Sequence, residues 1–171
     1  MLVGFAAVLF AFIVLVERQS QPTYAQGQPP ARLFSFKAAE VTNVQLRITN
    51  QLALRADRDP LGDSWSLTLP IVYPAQGPAI DWLLRTMEEL APTTFISQNE
   101  MAAGHRTLAD FGLDVPPATV TLMHGGMRSE IAFGAKTPIG DQVYLQLPDR
   151  PGVHLVPVEL FDFARGQSNP V

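Results

Sequence analysis

Three histidines, His105, His124 and His154, and three carboxylates, Glu100, Asp110 and Asp114, are the residues whose types suit acid–base or metal chemistry. A general base needs a pocket and a displaced pKa, and a two-histidine metal site on a helix needs ligands one turn apart. No two histidines here stand at i, i+4, and none sits beside a carboxylate in a metal-ligand pattern. His105, Asp110 and Asp114 therefore make up the candidate set for a hydrolase or ligand-binding site by residue type alone. The simpler reading makes Asp114, just before Val115-Pro116, a turn former. His124-Gly125-Gly126 resembles part of the oxyanion-hole motif of esterases, but that chemistry needs a Gly-x-Ser-x-Gly elbow, which the chain lacks. A hairpin turn is the expectation.

Two further patterns fail on spacing. Asp57, Asp59 and Asp63 could suggest calcium, yet Arg58 intrudes, Pro60 holds the fourth position and Gly62 precedes Asp63. Phe133-Gly134-Ala135-Lys136-Thr137 lacks the upstream glycine of a phosphate loop. The expectation is that the protein is not an enzyme and uses no cofactor and no metal.

Composition narrows the partners. The chain has 171 residues with a formal net charge of −4, and removing Glu17 and Arg18, the only charges before Arg32, leaves that charge unchanged. Lys37 and Lys136 are its only lysines and no basic run exists, which argues against nucleic acid. The absence of cysteine excludes disulfides, thiolate catalysis and iron–sulfur clusters.

Those candidate residues must be held by a fold, and the chain divides readily. Leu2 to Val16 is an uncharged apolar run containing Leu2, Phe5, Leu9, Phe12 and Leu15, followed at once by Glu17-Arg18. As a helix it would cover about 22 Å against a bilayer core of about 30 Å. It reads as an uncleaved membrane anchor over residues 1–18. A signal cleaved after Ala25 and a buried helix are the alternatives. Residues 19–31, rich in Gln and Pro, read as a linker, 32–165 as a globular domain and 166–171 as a tail.

Within the domain, Ala31 to Phe36 reads as a short strand. Val44, Leu46 and Ile48 alternate with polar residues, Leu52 and Leu54 open a second strand, Asp57 to Asp63 is turn chemistry, and Ser64 to Leu69 returns. Pro78 then stands at the start of a helix with Ile80, Leu83, Leu84, Met87 and Leu90 on one face. Thr93 to Ile96 is a strand and Leu108 to Leu113 one helical turn closed by Gly112. Hairpins follow around Gly125-Gly126 and around residues 148–152, and Val158 to Phe163 closes the domain as a helix. The expected class is α+β: an N-terminal transmembrane helix, then a predominantly antiparallel β domain with one long amphipathic helix packed on it. Trp65 and Tyr144 read as core. Trp82 lies off the apolar stripe of its helix, beside Asp81 and near Arg85, so these three are the candidate interaction residues. Burial of Trp82 under a neighbouring loop is the other reading.

One family shows the same ordered pieces: Leu33-Phe34-Ser35-Phe36, Trp65 with Leu67 and Pro70, Tyr73-Pro74-Ala75, Leu83-Leu84, Phe111-Gly112-Leu113-Asp114-Val115-Pro116, Phe133-Gly134, Val143-Tyr144 and Val153-His154-Leu155-Val156-Pro157. In these the chain resembles the bacterial domain of unknown function 4340, with Gln76 where an aspartate is common, and with one copy rather than two. The resemblance implies a domain anchored on the outer side of the cytoplasmic membrane, often accompanying transport systems similar to the gliding-motility ABC transporter. It implies no catalytic residues. The functional expectation is a non-enzymatic accessory subunit of a larger envelope or membrane complex, partnered by integral membrane protein and by the bilayer. A photosynthetic or respiratory complex is the alternative setting, and a hydrolase or ligand-binding domain using His105, Asp110 and Asp114 the alternative class.

Overall fold

The computed structural model describes residues 32–51, 53–62 and 64–164. The expected anchor at 1–18, the linker at 19–31 and the tail at 166–171 lie outside the described residues. The strands are β1 (Val41–Ile48), β2 (Leu54–Arg58), β3 (Trp65–Leu69), β4 (Tyr73–Pro74), β5 (Thr94–Ile96), β6 (Ala118–His124), β7 (Met127–Lys136), β8 (Gln142–Gln146) and β9 (Val153–Pro157). The helices are α1 (Gly77–Glu89), α2 (Gln98–Ala103) and α3 (Val158–Ala164), with 3-10 turns at Ala38–Glu40 and Leu108–Phe111.

All nine strands form one sheet in the order β4-β3-β2-β1-β6-β7-β8-β9-β5. Each neighbouring pair is antiparallel. Side-chain alternation sets which face is dry. Val44, Leu46 and Ile48 of β1 lie opposite Leu122, Val120 and Ala118 of β6, so one face of these strands is continuously apolar. The chain leaves the sheet at the β4 edge and re-enters at the β5 edge, with α1 between them. Leu83, Leu84 and Met87 of α1 are buried in this inner core, as are Leu160 and Phe161 of α3. Fully burying a side chain such as Leu84 contributes about 1.5–3 kcal/mol.

A second, smaller core contains Met101, Phe111, Leu113, Ala132 and Val153, with Tyr144 half-buried at its margin. Two glycines permit it. A Cβ on Gly134 would stand 2.2 Å from the Phe111 carbonyl oxygen, and Gly112 holds a left-handed φ of 66° with Ala135 against it. The Phe-Gly pairs at 111–112 and 133–134 are thus two halves of one close backbone contact.

The structure corrects the expected class. It is a single large antiparallel sheet with small helices, and α1, the expected long helix, has 13 residues. Among the described residues no helix is long and apolar enough to cross a membrane. The transmembrane element, the single-pass character and the cytoplasmic-membrane location drawn from it are withdrawn. Local corrections have clear causes. Residues 33–36 join no strand ladder. Leu33 instead donates its N–H to the Leu90 carbonyl at 2.8 Å, and Leu33, Phe34 and Phe36 all bury, a pattern no two-sided strand gives. Asp57 and Arg58 belong to β2 rather than to the following turn. Helix α2 was not expected, although Ser97 and Glu100 form a full capping box at its start. Tyr144 is less buried than its expected core role requires.

Candidate functional site

The residues whose types suggested acid–base chemistry are spent locally. Glu100 accepts the Ser97 N–H at 2.8 Å and its hydroxyl at 2.7 Å. Asp110 does the same for Thr107, whose N–H donates at 2.6 Å. These bonds, the backbone N–H first, hold both carboxyls below the usual carboxylate range. Each therefore stays ionised as a cap and is a poor proton acceptor at neutral pH. His105 is exposed with a positive φ of 51°, and Asp114 is exposed as well. None of these four residues lines any of the three cavities described below.

The other two histidines lie in strands. His154 packs on the Phe95 ring at 4.8 Å, and burial, then the Arg150 charge, hold its imidazole below the ordinary value. His124 is buried, with Nε2 2.8 Å from the Ser129 hydroxyl. This serine–histidine pair was not singled out from sequence, because the β6–β7 hairpin alone brings the two together. The adjoining cavity is about 30 Å³, room for one water, which leaves no place for a substrate. The pair satisfies a buried polar ring.

The structure separates the three candidate interaction residues. Asp81 is half-buried: its Oδ1 accepts the Trp65 indole N–H at 3.0 Å and an Arg58 N–H at 3.2 Å, while Arg58 stacks over the Trp65 ring at 4.8 Å. Asp81 is thus a structural acceptor joining α1 to β2 and β3. Trp82, on the other flank of α1, remains 46% exposed, and its ring lies 4.4 Å from that of Phe163 in α3. Arg85 is exposed one turn further on. Phe163 also lines an apolar groove of about 160 Å³, shared with Leu46, Leu54, Leu67 and Ile80.

A larger groove of about 840 Å³, with a mixed polar and apolar lining, lies at the β1–β2 end of the sheet. Two bulges build it. The β1–β6 register shifts between Val41 and Asn43, and the β2–β3 register between Arg55 and Ala56. Around them Asn43, Arg55 and Thr68 converge on Asp57. The Asn43 amide and Arg55, at 3.2 Å, donate to its Oδ1, and the Thr68 hydroxyl donates to Oδ2 at 2.6 Å. Partial burial alone would raise this carboxyl, but the bonds from Thr68, Asn43 and Arg55 outweigh it and hold it below the usual range. Sequence reading placed Asp57 in a turn and passed over Asn43 and Arg55, since bulges leave no clear mark in hydropathy. Among the described residues no group of three or more His, Cys, Asp or Glu could hold a metal.

Over residues 65–169 the sequence matches the family described as Domain of unknown function (DUF4340), and the chain belongs to that family. The match starts at Trp65, so β1, β2 and the Leu33–Phe36 segment lie outside it. No curated protein matches the chain, and no solved structure does.

Proposed function

We propose that the protein is a non-enzymatic interaction module, an accessory subunit that docks on a larger protein assembly through the outward flank of α1 and α3. One observation carries this reading: Trp82 stays 46% exposed although Phe163 supports its ring from a second helix. A braced, exposed tryptophan with an arginine one turn away combines the residue types that dominate interface energetics, and its low flexibility lowers the entropy cost of binding. The partner is a protein presenting an apolar anchor to the Trp82–Phe163 ledge. Assemblies of the ABC-transport kind are the first to examine, on the family resemblance.

The test is co-purification of the tagged full-length chain with a stoichiometric protein partner. Trp82→Ala is expected to lower the partner yield at least about tenfold, the scale of a 1.4 kcal/mol contact, while the chain still unfolds in one cooperative transition. His105→Ala with Asp110→Asn and Asp114→Asn should leave biological function intact. Loss of function in that triple variant, with folding retained, would restore the hydrolase reading.

A further inference from the structure

We propose that the groove at the β1–β2 end of the sheet binds a neutral polyhydroxylated ligand, a short saccharide. Its volume of about 840 Å³ lies within the range of small-molecule sites, about 300–1,000 Å³. The charged groups of its described wall already have partners: Arg55 pairs with Asp57, Arg58 with Asp81 of α1, and Asp59 accepts the Leu61 N–H at 2.9 Å. An anion would meet two carboxylates there and a cation two guanidinium groups. A neutral hydrogen-bonding molecule meets neither penalty.

The wall also specifies what kind of neutral group it takes. Asn43 is only 8% exposed, and its amide NH2 is committed to the Ala56 carbonyl at 3.3 Å and to Asp57. Two acceptors facing the NH2 fix which way the amide points, because the flipped form would set oxygen against oxygen. The Asn43 carbonyl oxygen accepts no bond among the described residues and is not sealed away from solvent, so it is a held acceptor on the groove wall. Beside it, Arg55 spends one nitrogen on Asp57 and keeps further N–H donors on a half-exposed side chain. A ligand atom that bridges the two must donate to Asn43 and accept from Arg55. An amide N–H cannot accept and a carboxylate cannot donate; a hydroxyl does both. Met123 and the Pro60–Gly62 turn supply apolar surface for the C–H face of a sugar ring.

The experiment is a 1H–15N NMR titration of the full-length chain with cellobiose and with N,N′-diacetylchitobiose, alongside sodium acetate and methylammonium chloride. A disaccharide should give saturable shifts confined to Thr42, Asn43, Arg55, Asp57 and residues 59–62, with a Kd of about 1–10 mM. Arg55→Ala, at an exposed position that the fold tolerates, should weaken that Kd at least about tenfold while the rest of the spectrum is retained. Three results would overturn the proposal: no saturable shift with either disaccharide up to about 50 mM, an unchanged Kd in Arg55→Ala, or groove shifts driven by acetate or methylammonium instead.

Discussion

Among the described residues, the inner face of the sheet is roofed by α1, α3 and the Leu33–Phe36 segment, whereas the outer face carries a second core over β7, β8, β9 and β5 and a groove over β1 and β2. Both faces come from the same strands. In β1, Val44 and Ile48 face inward and bury, while Asn43 faces Asp57 and the open groove. Alternation explains the apolar face fully; it explains only that the other face is polar. The arrangement of that polar face depends on two bulges, and the covered half of it on two glycines. Packing is thus spread along the strands, and specialisation is concentrated where the ladder is interrupted.

The largest effect is expected on the inner face. Trp65 is buried, under Arg58 and bonded to Asp81, so Trp65→Ala should cost about 3 kcal/mol or more, read as a lower urea midpoint. A midpoint like that of the wild type would mean that the inner face is not the main source of stability. Gly134→Ala tests the covered half of the outer face. Its Cβ would clash with the Phe111 carbonyl, and the backbone shift should cost about 1–3 kcal/mol. Local amide exchange should rise over residues 97–116 with the inner core still protected. Uniform loss of protection would join the two cores into one cooperative unit.

A smaller, pH-dependent effect belongs to the β5–β9 seam. His154 has a folded-state pKa held below its ordinary 6.5, so the unfolded chain takes up the proton more readily. Its contribution to stability is complete above pH 6.5 and is lost as pH falls through the depressed folded value. His154→Gln should flatten that part of the stability–pH curve, leaving the more acidic loss that Asp57, depressed below 3.8, contributes. An unchanged slope just below pH 6.5 in the variant would remove His154 from this role.

The architecture was readable where periodicity was long. The Ile80–Leu90 stripe gave α1, the alternation at 44–48 gave β1, and Gly125-Gly126 gave a hairpin whose glycines have φ of 54° and 78°. Sheet order was not readable, because the pairing of β5 with β9 joins elements far apart in sequence and no local signal encodes it. Helix α2 is short enough that only its capping box marks it. Of the candidate site, Trp82 could be found from its position off the apolar stripe. Asp81 could not be told from a surface acid, since its partners Trp65 and Arg58 come from another hairpin. The groove residues Asn43 and Arg55 are ordinary polar positions until the bulges aim them.

The account rests most on the Trp82–Phe163 flank as a place where another protein sits, and site-specific photo-cross-linking addresses it directly. A photoreactive residue at Arg85, compared with one at Thr121 in β6, should trap a single discrete protein adduct in living cells from position 85 alone. Adding Trp82→Ala should reduce that adduct at least about tenfold. No adduct at position 85, or equal adducts from both positions that ignore Trp82→Ala, would contradict the account.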